Sequence, residues 1–137
     1  LTIFMKIHHI GIATSGIEDA SDVWRDLLGL RADHTEEVAG QKVRVCMLPV
    51  GESRFELLEP MSADSPISRF LEKRGGGIHH VAVSVEDIQA TLAYLKSNGA
   101  KLIDEEPRVG AGGCLVAFVH PSSTGGVLLE LVQDPQS

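Results

Sequence analysis

Ile7-His8-His9-Ile10-Gly11-Ile12-Ala13 decides the reading of this chain, because it returns 71 residues later as Ile78-His79-His80-Val81-Ala82-Val83-Ser84. A motif that recurs at a fixed offset marks a duplicated supersecondary unit. The ends of the two copies repeat as well, since Phe55-Glu56-Leu57-Leu58-Glu59-Pro60 is echoed by Leu129-Glu130-Leu131-Val132-Gln133-Asp134-Pro135 at an offset of 74. Between start and end, each copy carries a stretch with helical spacing. Glu18 to Leu28 sets Ala20, Val23, Trp24, Leu27 and Leu28 on one face, and Val85 to Asn98 does so with Ile88, Leu92 and Leu95. Gly29 and Gly99 follow as helix stops. Short extended segments come next, Leu30 to Glu37 and Lys101 to Glu105, and then the strand patterns Lys42 to Pro49 and Gly113 to Val119.

The pattern predicts two tandem βαβββ modules, at about residues 6–60 and 78–135, joined by a linker at 61–77 within a single domain spanning 1–137. Ser65 to Arg74 in that linker reads as a short amphipathic helix with Pro66 in its first turn and three glycines as the stop. With one helix for about four strands and no glycine-rich phosphate loop after the first strand, an α+β fold is favoured over a doubly wound one. The expectation is curved, mostly antiparallel mixed sheets around a shared metal cleft, with the helices outside.

Composition narrows the function classes. Twelve Lys and Arg against 19 Asp and Glu give a net charge of −7, which opposes a nucleic-acid partner. No apolar run approaches the roughly 20 residues of a membrane helix. Cys46 and Cys114 lie in apolar segments, as reduced buried thiols do. Leu1 to Lys6 lacks the features of a secretory leader, which predicts the cytoplasm, or an organelle matrix if a leader has been removed. Met5 is a candidate natural start, making residues 1–4 an added remnant or an alternative start.

Strand alternation separates His9, Gly11 and Ala13 from the bulkier His8, Ile10 and Ile12, which suit packing under a helix. His80, Ala82 and Ser84 part from His79, Val81 and Val83 in the same way. Thus the second histidine of each pair stands on a small-residue face. Glu56 and Glu130 sit inside apolar runs, where a carboxylate needs a partner. A divalent cation held by His9, Glu56, His80 and Glu130 supplies one, with two positions of an octahedron left for a chelating substrate. Either histidine pair alone also fits a hydrogen-bonded strand end, and either glutamate alone also fits an arginine partner or an exposed edge.

These motifs, together with His120-Pro121 and Gly125-Gly126-Val127-Leu128-Leu129-Glu130-Leu131, resemble the vicinal oxygen chelate superfamily (glyoxalase, bleomycin resistance and dioxygenase proteins) and, within it, the methylmalonyl-CoA epimerases. The resemblance covers nearly the whole chain. It implies an isomerase of propionate metabolism that interconverts (2R)- and (2S)-methylmalonyl-CoA through a metal-stabilised enolate, with Co2+ expected first and Mn2+, Ni2+ or Zn2+ as alternatives. His9, Glu56, His80 and Glu130 match the family's ligand positions, although some members have Gln where this chain has Glu56. Glu130 is the first candidate for proton transfer and Glu56 the second. A catalytic glutamate proposed in some bacterial epimerases falls on Val45 here, leaving Glu37, Gln41 or a water as substitutes.

The partner implied is an acyl-CoA, with Arg69, Lys73, Arg74, Arg44 and Arg108 as candidates for its phosphates. Gly110, Gly112, Gly113 and His120 are expected beside the cleft, and a homodimer is expected by resemblance. Lactoylglutathione lyase (glyoxalase I) and a metal-free binding member of the superfamily are the rival readings.

Overall fold

The computed structural model describes residues 4–135; the first three positions ahead of the candidate start Met5 lie outside it. The chain divides into two compact units, residues 9–79 and residues 4–8 with 80–135, so the divisions fall inside the two His-His pairs. No helix among the described residues is long and apolar enough to cross a membrane.

In the first unit the strands run β1 (Phe4–Ala13, of which residues 4–8 belong to the other unit), β2 (His34–Val38), β3 (Val43–Val50) and β4 (Ser53–Pro60), hydrogen-bonded in the order β2-β3-β4-β1. β2, β3 and β4 pair antiparallel, while β4 lies parallel to β1. A parallel neighbour requires a crossover, and the chain from Thr14 to Glu52 supplies it. α1 (Ile17–Ser21) belongs to that crossover and runs directly into a π-helical stretch, Asp22–Leu27. Ile17, Ala20 and Trp24 pack with Ile12 against the buried Cys46, Leu48 and Leu57.

The sequence predicts one regular α-helix with Val23, Leu27 and Leu28 also on the packed face, and here the structure differs. The Leu28 N–H donates to the Val23 carbonyl at 2.9 Å, an i to i−5 bond that widens the turn. Val23, Leu27 and Leu28 are consequently exposed.

α2 (Pro66–Arg74) is the linker helix that the sequence predicts. The Ser65 hydroxyl accepts from the Ile67 N–H at 3.2 Å, Pro66 opens the first turn, and Gly75, with φ of 71°, ends it. At Gly76 a side chain would meet the Ala13 carbonyl at 3.2 Å, so glycine permits this close approach.

The second unit repeats the plan with β5 (Gly77–Val85), α3 (Ile88–Ser97), β6 (Arg108–Val109), β7 (Leu115–Val119) and β8 (Leu129–Gln133), in the order β5-β8-β7-β6. β5 and β8 are parallel, and β8, β7 and β6 antiparallel. Ile88 and Leu92 of α3 pack on Val85, Ala117, Val119 and Leu131. The extended segment predicted at Lys101 to Glu105 contributes only a bridge from Leu102 to Val119. There the Asp104 carboxylate accepts the Phe118 N–H at 2.8 Å, taking a bond that a neighbouring strand would otherwise make.

Both units tie the closing strand to the helix in the same way. Glu59 Oε1 accepts the Ile17 N–H at 2.9 Å, and Gln133 Oε1 accepts the Ile88 N–H at 2.8 Å. Each bond satisfies a donor that the first helical turn leaves unpaired. Replacing Gln133 with Ala should cost about 1 kcal/mol in urea unfolding, and Gln133→Glu, which keeps the acceptor, should recover most of it.

Lys42 and Ser62 hydrogen-bond the exposed Asp64 carboxylate and lower its pKa from 3.8 to about 2. A depressed carboxylate stabilises the fold above its unfolded pKa and loses that contribution as pH falls through its folded value. The stability gap between wild type and Asp64→Asn should therefore be constant above pH 3.8 and close as pH falls toward about 2; urea midpoints measured across that range check it.

Candidate metal centre

The parallel strand pairs position the predicted ligands. Gly11 of β1 stands beside Glu56 of β4, and Ala82 of β5 beside Glu130 of β8. Side chains two residues apart on a strand share a face, so His9 and His80 project on the same side as the glutamate of their own unit. His9 Nε2 lies 3.4 Å from Glu56 Oε1, and His80 Nε2 lies 2.9 Å from Glu130 Oε1. All four side chains are buried, at 3% to 6% exposure.

The structure thus brings the four predicted residues together as two pairs, one in each unit. The exposed-edge alternative for Glu56 and Glu130 does not hold, since both are buried beside an imidazole. Each pair offers a neutral nitrogen and an anionic oxygen, a donor set suited to a borderline divalent ion. In the second unit the edge-on Phe118 ring, 5.7 Å from the His80 ring at 85°, constrains how that imidazole turns. Ser84, on the His80 face of β5, is buried and its hydroxyl has no hydrogen-bond partner among the described residues.

Other expected site residues are placed differently. Val45 is a core residue at 2% exposure, paired with Glu36 on one side and Leu58 on the other. Glu37 Oε2 accepts from Arg44 Nη2 at 2.7 Å, and the same guanidinium reaches Glu59. Those carboxylates raise the Arg44 pKa, the Glu37 hydrogen bond foremost. Gln41 lies in a 3-10 turn, Ala39–Gln41. Arg108 faces Asp104 at 3.7 Å and stacks over Phe118, and Arg74 stacks over Phe70. Arg44 and Arg108 are thus engaged by carboxylates of their own units. His120 caps a short turn, its Nδ1 accepting the Ser122 N–H at 3.0 Å, which is the local role open to a residue ending a strand.

His8 departs from the helix-packing role that alternation assigns to it: it is buried, with Nε2 3.0 Å from the Asp134 carboxylate. Sequence reading passed over this pair, and the signal was available. Asp134 interrupts the second closing segment where the first has Pro60.

The chain is similar to known proteins along nearly its whole length. Residues 8–118 match the model of the Glyoxalase/Bleomycin resistance protein/Dioxygenase superfamily. An uncharacterized Bacillus subtilis protein, YqjC, is 43% identical over 93% of this chain and 91% of its own length. The mitochondrial methylmalonyl-CoA epimerase of Mus musculus is 37% identical over 93% of this chain and 72% of its own. The crystal structure of methylmalonyl-CoA epimerase from Mycobacterium tuberculosis superposes with a TM-score of 0.95 at 34% identity, covering 98% of this chain and 91% of that one.

Removing one member of a buried imidazole–carboxylate pair leaves the other without that partner. His80→Ala in the metal-free protein should destabilise it by about 2 kcal/mol, whereas the further change Glu130→Ala should restore part of that loss. A double-mutant cycle by denaturant unfolding reads the coupling, and additive single changes would show that the two side chains do not interact.

Proposed function

This chain belongs to the Glyoxalase/Bleomycin resistance protein/Dioxygenase superfamily, and from that premise we propose that it is a methylmalonyl-CoA epimerase in which His9, Glu56, His80 and Glu130 hold one divalent cation. The observation that carries this reading is the recurrence, at the same register in both units, of a buried imidazole beside a buried carboxylate. Two carboxylates and two neutral imidazoles balance a 2+ ion. Relatives at 34% and 37% identity over more than nine-tenths of the chain are epimerases of this thioester, which supports the substrate assignment.

The α carbon of methylmalonyl-CoA lies between a carboxylate and a thioester, so its proton is acidic. When bound, the cation supplies positive charge against the negative charge that develops on the thioester oxygen. Inversion at carbon needs one group to remove the proton from one face and another to deliver a proton to the opposite face. Glu130 takes the first role through a carboxylate oxygen, and Glu56 takes the second. Val45 carries no acid or base, and Glu37 is held in its ion pair with Arg44. Arg69 and Lys73 of α2 are left to meet the nucleotide phosphates.

The test is exchange of the α proton for deuterium in methylmalonyl-CoA, using apoprotein reconstituted with Co2+, Mn2+, Ni2+ or Zn2+. Wild type should exchange and racemise the substrate with at least one of these ions and leave a glutathione hemithioacetal untouched. Glu130→Gln should lose about 100-fold or more in turnover while keeping its circular dichroism spectrum. Near-wild-type exchange by that variant would refute the role of Glu130, and preferential turnover of the hemithioacetal would move the assignment to a lactoylglutathione lyase.

A further inference from the structure

We propose that His8, Cys114 and Asp134 form a second metal site, one that takes a thiophilic divalent cation such as Zn2+. The three residues come from distant parts of the second unit: the first strand, the loop entering β7, and the chain just past β8. Pairing of Leu115 with Gln133 in the antiparallel β7–β8 ladder brings Cys114 beside Asp134. Asp134 Oδ1 lies 3.0 Å from His8 Nε2 and 3.5 Å from Cys114 Sγ, and the three donor atoms all lie within 4.8 Å of one another. Ligands at zinc bond lengths of about 2.0 to 2.3 Å stand roughly 3.3 to 3.8 Å apart around a tetrahedral ion. Little rearrangement separates these donors from that arrangement.

The chemistry of the set selects the class of ion. A thiolate, an imidazole and a carboxylate suit Zn2+ and other borderline-soft metals and disfavour Mg2+ or Ca2+, which require oxygen. His8 and Cys114 are buried, and the Asp134 side chain, at 55% exposure, provides the route from solvent. A further polar group lies in this region. Ser84, whose buried hydroxyl has no hydrogen-bond partner among the described residues, pairs in register with Val132, two residues before Asp134. The core cluster on that face contains Cys114 and Val132 themselves.

This site is distinct from the His80–Glu130 pair, because Asp134 follows Glu130 by four residues, about 13 Å along an extended chain. On binding, the Cys114 thiol proton is released to solvent and a sulfur–metal bond forms in its place. The ion would then clip residues 8 and 134 together across nearly the full length of the chain. It would stabilise the fold rather than carry out the reaction.

The experiment equilibrates the full-length protein with excess Zn2+ and counts metal per chain after gel filtration, for wild type, Cys114→Ala and Asp134→Asn. Each variant should hold one equivalent less than wild type. With Co2+ in place of Zn2+, wild type should show the near-ultraviolet charge-transfer absorption of a cobalt–thiolate bond, and Cys114→Ala should lack it. Equal metal content in wild type and Asp134→Asn, or an undiminished thiolate band in Cys114→Ala, overturns the proposal and leaves the three residues as a hydrogen-bonded cluster. Because Asp134 is exposed, its variant keeps the comparison valid even where removal of the buried thiol unsettles the fold. The readout is a difference between variants, so it does not depend on whether His9, Glu56, His80 and Glu130 hold a metal.

Discussion

A carboxylate inside an apolar strand must be compensated, and this requirement organises both halves of the chain. Glu56 and Glu130 each interrupt an apolar run that the core needs, and desolvation of an unpaired carboxylate would cost several kcal/mol. In each unit the compensation comes from a histidine two residues before the glutamate's register partner on the neighbouring parallel strand. Only a parallel neighbour with a long crossover brings the first and last strands of a βαβββ unit side by side. The helix and the two intervening strands are therefore the structural cost of placing one imidazole next to one carboxylate.

The crossover is secured at the same point in each unit, where a side-chain oxygen from the end of the closing strand accepts the first N–H of the helix. Duplication has kept this bond while allowing its chemistry to drift. Gln133 is uncharged and bonds the Ile88 N–H, whereas Glu59 bonds the Ile17 N–H and also binds Arg44, which in turn holds Glu37. The first unit thus links its helix, its closing strand and its outer hairpin through one arginine. The outer edge of the second unit is shorter, and there Asp104 bonds a backbone N–H where a strand would have continued.

The pairing of each second histidine with a buried glutamate was legible in the sequence because two periodicities converge on it, the two-residue alternation of strands and the repeat of about 71 residues. Linker helix α2 was legible for a different reason, with serine cap, proline and glycine stop all in place. What escaped detection lies where a local bond overrides a pattern. The π-helical stretch Asp22–Leu27 moves three hydrophobic residues from the packed face to the surface, and hydrophobic spacing cannot signal it. The His-His motif repeats, yet its first members have different environments: His8 meets Asp134, and His79 packs edge-on against Phe70 at 5.0 Å. Sequence symmetry preserves a position, but the partner of that position depends on residues that need not repeat.

The contrast between conserved and divergent features of the two units also bears on the chemistry. Epimerisation needs two proton-transfer groups, and a group in the third strand of the first unit is unavailable because Val45 is buried hydrocarbon. Glu37, on the adjacent strand, accepts a hydrogen bond from Arg44, whose pKa rises in response. Glu56 and Glu130 are instead buried, each beside an imidazole of its own unit. On the proposed reading the two glutamates that hold the cation are also the proton carriers, and one structural constraint accounts for both binding and chemistry.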